Sequence, residues 1–185
     1  METKLFIKRK GYSFFLFDDK EGNLLYVIEY QSKIFGADKA FLKNSYGDVL
    51  VDVSLSRRSG FGYKQDFQAC FYYLNSLQTV IHNISFSKGH WKLEVHNNSF
   101  DFYINQHSKY SIFKNNKQIA GIKTNAVEVL NTSEYNFISI DPETLVIQLT
   151  LFFIANFRKN NDANLFTINF SVSPYSRFNE KWSAK

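Results

Sequence analysis

The sequence predicts a mainly β fold: an antiparallel sheet closed into a barrel, with one hydrophobic helix threaded through it. Three observations carry this expectation. Aromatic residues make up 18% of the chain, with 20 Phe and 11 Tyr against only 2 Pro, a mixture suited to pleated, half-buried surfaces. Short apolar runs recur in pairs around polar turns. One late segment is apolar on nearly every side and opens with a helix-start signal.

The strands show themselves first by alternation. Lys4 to Lys8 reads Lys-Leu-Phe-Ile-Lys, and Trp91 to Val95 and Phe166 to Val172 alternate apolar with polar residues, the period of a strand with one dry face. The hairpins follow. Phe14 to Phe17 leads through Asp18-Asp19-Lys20-Glu21-Gly22-Asn23 into Leu24 to Tyr30. Ala40 to Lys43 leads through Asn44-Ser45-Tyr46-Gly47-Asp48 into Val49 to Leu55. Tyr110 to Lys114 leads through Asn115-Asn116-Lys117-Gln118 into Ile119 to Lys123. Asn, Asp and Gly supply the left-handed positions and local hydrogen bonds of tight turns. A meander of such hairpins closes into a barrel or a sandwich.

The exception is Asp141-Pro142-Glu143 and the run that follows it to Phe157. Asp as N-cap, Pro at the first helical position and Glu beside it predict a helix over about 142–157. Leu145, Val146, Ile147, Leu149, Leu151, Phe152, Phe153 and Ile154 cover nearly its whole circumference. A helix apolar all round is buried on all sides. A closed barrel around it buries sheet and helix together and leaves no strand edge unpaired.

Composition bounds the rest. The 185 residues form one ordinary domain, 44% hydrophobic and 21% charged, long enough to bury a core without staples. The single cysteine, Cys70, allows no internal disulfide. Met1 to Lys10 lacks the apolar stretch of a secretory signal, and no apolar run is long enough to span a bilayer. A cytoplasmic, membrane-peripheral location is the expectation. The net charge of +5 favours an anionic partner.

The hairpin units, the segment Tyr135-Asn136-Phe137-Ile138-Ser139-Ile140-Asp141-Pro142-Glu143 and the all-apolar helix together resemble the tubby C-terminal-like superfamily over about residues 3–157. The style is that of its small bacterial and LURP-one-related members, with the phospholipid scramblases as further relatives. The resemblance implies a closed antiparallel barrel of about twelve strands around one central hydrophobic helix. It also implies binding at membranes. Two departures stand out. A segment, 158–185, follows the helix, with a predicted strand at about 165–172 and a loose tail. No counterpart is present of the tubby phosphoinositide pocket or of the scramblases' cysteine-rich palmitoylation segment.

Catalytic patterns are missing. His82, His90, His96 and His107 form no metal-binding spacing. Cys70 lies among apolar residues and reads as a buried, inert thiol, and no Gly-x-Ser-x-Gly elbow occurs. The turn from Asp18 to Asn23 lacks calcium-loop spacing and reads as a solvated turn. No catalytic residue, metal or cofactor is expected. Nucleic acid is not favoured, for want of an RNA-binding aromatic motif.

The candidate site is basic. Ser56-Arg57-Arg58-Ser59-Gly60-Phe61-Gly62-Tyr63-Lys64 reads as an inter-strand loop in which Arg57, Arg58 and Lys64 meet an anionic surface, with Phe61 able to enter it. Lys8, Arg9 and Lys10 form a second basic cluster. Arg158 and Lys159 sit just past the predicted helix, where cations complement its dipole. The leading expectation is a non-catalytic binding module for anionic lipid or phosphorylated ligands. The alternative is a structural protein that self-associates through its C-terminal strand, and a third reading is a lipid-handling, scramblase-like protein.

Overall fold

The computed structural model describes residues 2–10, 13–18, 20–31, 39–59, 64–85, 89–105, 109–129 and 132–161, with backbone alone at 55–59, 64–65, 125–129, 132–133 and 155–161. Twelve strands follow in order: β1 (Thr3–Lys10), β2 (Ser13–Asp18), β3 (Leu24–Gln31), β4 (Lys39–Asn44), β5 (Val49–Ser59), β6 (Lys64–Phe71), β7 (Leu77–Ser85), β8 (His90–Val95), β9 (Asn98–Ile104), β10 (Lys109–Lys114), β11 (Lys117–Val129) and β12 (Thr132–Ser139). One α-helix, α1 (Leu145–Asn161), comes after them. Each strand pairs antiparallel with its sequence neighbours, and β12 returns to pair with β1, so the sheet is a closed up-and-down barrel.

Alternation decides which face is dry. Leu5 and Ile7 of β1, Phe14 and Leu16 of β2, Val51 and Val53 of β5, Leu93 of β8, Phe102 of β9 and Phe137 of β12 are all buried. The register keeps them in step, with Ile7 opposite both Tyr135 and Leu16, and Phe14 opposite Ile28. A slip of one residue would turn every one of these outward.

Tight turns hold the register. Asn115 and Asn116 both have positive φ, 49° and 68°, so β10 and β11 are joined by a two-residue turn. The turn is shorter than the sequence suggests, and Lys117 and Gln118 belong to β11. His96 and Asn97, with φ of 46° and 62°, make an equivalent turn between β8 and β9. Gly89, at φ +56°, opens β8 where a Cβ would stand 2.8 Å from Ile104 Cβ, so no larger residue fits without displacement.

Residues 147–154 of α1 are buried without interruption, more than two full turns. Phe152 meets Phe14, Tyr110 and Tyr135 edge-on at 6.2, 5.8 and 5.2 Å between ring centres. These partners belong to β2, β10 and β12. Tyr30 of β3 donates its hydroxyl to the Phe153 carbonyl at 2.8 Å. Among the described residues no helix is long and apolar enough to cross a membrane.

Both helix ends differ from the sequence expectation. Asp141 is not a side-chain cap. Its carboxylate accepts Lys114 Nζ at 2.9 Å, and a 3-10 turn, Pro142–Thr144, leads into α1 instead. Gln148 Nε2 donates to the Asp141 carbonyl at 2.7 Å. The helix runs on to Asn161, so Arg158 and Lys159 lie within it rather than past it. The predicted strand at 165–172 lies outside the described residues.

Leu149 is fully buried in the middle of this packing. Leu149→Asp is expected to prevent folding, because an unpaired buried charge costs several kcal/mol against a total stability of about 5–15 kcal/mol. Circular dichroism and dispersion of amide NMR signals check this.

Candidate functional site

Because the sheet runs strictly up and down, successive connections fall at alternate ends of the barrel. The segments 19–23, 45–48, 72–76, 96–97, 115–116 and 140–144 share one end, called here the turn end. The opposite end takes the connections at 11–12, 32–38, 60–63, 86–88, 106–108 and 130–131, and α1 runs toward it.

Charge separates along this axis. At the opposite end, the last three residues of each strand include nine cations: Lys8, Arg9, Lys10, Lys39, Arg57, Arg58, Lys64, Lys92 and Lys109. Four acids accompany them, Glu29, Asp66, Glu128 and Glu134. At the turn end, the chain start, the connections and the three residues at each strand end carry, among the described residues, Glu2, Asp18, Glu21, Asp48, Glu94, Asp141 and Glu143 against Lys4, Lys20, Lys43, Lys114 and Lys117. Three of the strand-end lysines there are paired, Lys4 with Glu2 at 3.3 Å, Lys43 with Glu29 at 2.7 Å and Lys114 with Asp141 at 2.9 Å, and at the basic end Lys92 is paired with Glu94 at 2.8 Å.

All six residues expected to form the anionic-surface site lie at this basic end, but not as one cluster. Arg57 and Arg58 are not in a loop. They continue β5, opposite Asp66 and Gln65, and Lys64 opens β6 opposite Ser59. The connection shrinks to 60–63, because strand pairing carries on through a stretch whose polar sequence shows no alternation. Lys8, Arg9 and Lys10 end β1, four strands round the barrel from β5. At about 4.8 Å per strand that is roughly 19 Å along the sheet.

The β1 cluster is itself divided by the strand's two faces. Lys8 and Lys10 are exposed, with Lys8 Nζ 5.4 Å from the Phe6 ring. Arg9 follows Leu5 and Ile7 on the inward side and places its guanidinium 5.7 Å from the Phe14 ring. Its charge partly offsets the effect of burial, which holds the Tyr30 hydroxyl well above the ordinary tyrosine range. Lys39 and Lys109 join the basic end only through topology, since neither stands in a basic run.

The remaining candidates are also placed. His90 Nε2 lies 2.7 Å from Asp101 Oδ1, both side chains mostly buried, and the ring stacks on Tyr103 at 4.3 Å. His82 Nδ1 lies 3.3 Å from Asp66 Oδ2, whose other oxygen accepts the Asn83 N–H at 2.9 Å. His96 is in its turn, and His107 lies outside the described residues. Among the described residues no three His, Cys, Asp or Glu side chains are placed to hold a metal. Cys70 is half-buried rather than buried, because its neighbours Ala69 and Phe71 take the inward positions. The Asp18 carboxylate accepts the Lys20 N–H at 2.7 Å, and Glu21 accepts Asn23 Nδ2 at 2.7 Å, so these oxygens brace their own turn.

Described residues line surface clefts, two of which bear on the ends and the wall of the barrel. One, about 350 Å³, lies on the outer wall among Phe6, Lys8, Phe17, Asp18 and Gly22. The other, about 440 Å³, lies at the turn end among Lys114, Asn115, Lys117, Ile119, Ile140 and Asp141. Sequence reasoning pointed to neither as a cleft.

No protein-family model and no curated protein matches the sequence. The fold matches the X-ray structure of a protein from Arabidopsis thaliana with a TM-score of 0.55 and 15% sequence identity, over 85% of this chain and 91% of that one. At that identity the likeness shows the fold alone.

Tyr73, at the turn end, has its hydroxyl pushed up to about 12, by burial first and by the neighbouring Tyr26 second. A tyrosine harder to ionise when folded contributes stability that is complete below about pH 10, its unfolded value. That contribution is lost as pH rises from there through about 12. Stability in urea should therefore fall over that window. In Tyr73→Phe the alkaline loss should be smaller, as read from urea midpoints at pH 9 and 11.

Proposed function

We propose that the chain is a non-catalytic binding module of the tubby-like kind, with α1 as the axis of its barrel, and that its basic end meets an anionic lipid surface. The axial position is supported by the uninterrupted burial of residues 147–154 and by aromatic contacts from β2, β3, β10 and β12. The tubby-like reading rests on the hairpin pattern and on the late helix.

The observation that carries the function is the separation of charge along the barrel. A net charge of +5 spread evenly would attract little. The basic end instead gathers nine cations against four acids at its strand ends, which makes a basic rim. Each Lys or Arg close to an anionic membrane contributes about 1 kcal/mol, falling off within a Debye length. Binding is therefore reversible and sensitive to salt. Phosphate oxygens of a lipid headgroup suit Arg57 and Arg58, since guanidinium groups bind them bidentately.

Sedimentation with phosphatidylserine vesicles at low and at physiological salt tests the proposal. The native chain should pellet with anionic but not neutral vesicles, and less as salt rises. Arg57→Glu/Arg58→Glu should weaken binding at low salt by at least about tenfold. Equal binding of both proteins, or binding by neither at low salt, refutes it.

A further inference from the structure

Three exposed tyrosines stand at the turn end of the barrel. Among the described residues, Tyr46 is 90% exposed, Tyr72 46% and Tyr73 40%. All three belong to the turn end, on the connections that flank β5: Tyr46 between β4 and β5, Tyr72 and Tyr73 after β6. Tyr46 is held out on a braced turn, because Asn44 Oδ1 accepts the backbone N–H groups of Tyr46 and Asp48 at 3.0 and 2.9 Å. Asp48 and Asp52 share the patch, and the Tyr72 hydroxyl lies 3.4 Å from Asp52 Oδ2.

Exposed aromatic clusters mark interaction surfaces. Tyrosine gives large contact area at small entropic cost, and its ring face attracts cations. Asp48 and Asp52 select a basic partner. The molecule carries such a surface at its own other end, where Arg57, Arg58 and Lys64 sit at the far ends of β5 and β6.

We propose that the Tyr46–Tyr72–Tyr73 patch docks the basic end of a second copy of this chain, so that barrels associate head to tail. The contact joins two different surfaces and leaves one of each free on the pair, so assembly grows with concentration instead of stopping at a dimer. The charge pairing makes it weaken with salt. The proposal rests on the basic end being an anion-seeking surface, as argued for vesicles. It adds that self-association and vesicle binding compete for the same rim.

Sedimentation velocity of the full chain, across a hundredfold range of concentration at low and physiological salt, tests it. The weight-average coefficient should rise with concentration and fall with salt. Tyr46→Ser/Tyr72→Ser should weaken self-association at least about tenfold while leaving vesicle binding intact. Arg57→Glu/Arg58→Glu should weaken both. An Asp48→Lys/Asp52→Lys protein mixed with the Arg57→Glu/Arg58→Glu protein should associate, although each alone does not. If the paired tyrosine variant does not fold, Tyr46→Ser alone removes only a solvent-facing ring and reads the same contact. A chain that stays monomeric at every concentration at low salt, or association untouched by the tyrosine variants, overturns the proposal. If vesicle binding fails while the charge-swapped pair still associates, the lipid reading falls and this one stands.

Discussion

The pairing of β12 with β1 is the constraint on which the rest of the structure depends. It runs over eight residues, from Thr3 opposite Ser139 to Lys10 opposite Thr132. Every other strand pairing joins neighbours in sequence, so each closes a short loop at low entropic cost. Among the strand pairings, this one alone joins parts of the chain more than a hundred residues apart. Without it the sheet would have two bare edges, β1 and β12, each a template for another chain. The same closure places the helix, because α1 begins a few residues after β12 ends. The link is fixed to the neighbouring strands, with the Ile140 N–H donating to the Ile119 carbonyl at 2.9 Å and Asp141 tied to Lys114. Closure and helix entry are thus one structural event.

A closed meander also imposes parity. Once β1 has a direction, every later connection is assigned to an end, whatever its sequence. The turn end holds its connections in left-handed backbone at Asn75, Ser76, His96, Asn97, Asn115 and Asn116, and side chains such as Asn44 and Asp18 brace them from within. Short, self-satisfied turns leave the chain little freedom to vary there.

Much of this was legible in the residues, and the failures have identifiable causes. The turns at Asp18 to Asn23 and Asn44 to Asp48 could be read because local side-chain hydrogen bonds build them, and local chemistry is what a sequence displays. The buried helix could be read because its apolar residues leave no wet face. The Asp141 cap was misread because Lys114, a residue 27 positions earlier, claims its carboxylate. The loop at 56–64 was misread for a similar reason: β6 extends β5 by pairing with Arg57, Arg58 and Ser59, and tertiary pairing overrides weak local preference. The candidate site was visible only as two basic runs. Their shared end, and the part Lys39 and Lys109 play in it, appear only after the strands are counted round the barrel.

Among the described residues, Phe152 and Phe153 of α1 pack against the aromatic rings of Phe14, Tyr30, Tyr110 and Tyr135, and side chains packed in this way are as dense as an organic crystal. Exposed ion pairs such as Lys92 with Glu94 contribute little. Among the described residues the ends differ in sign: one gathers carboxylates, the other arginine and lysine. The two partners proposed above, a lipid headgroup layer and the end of another such barrel, both draw on this difference in sign along one axis.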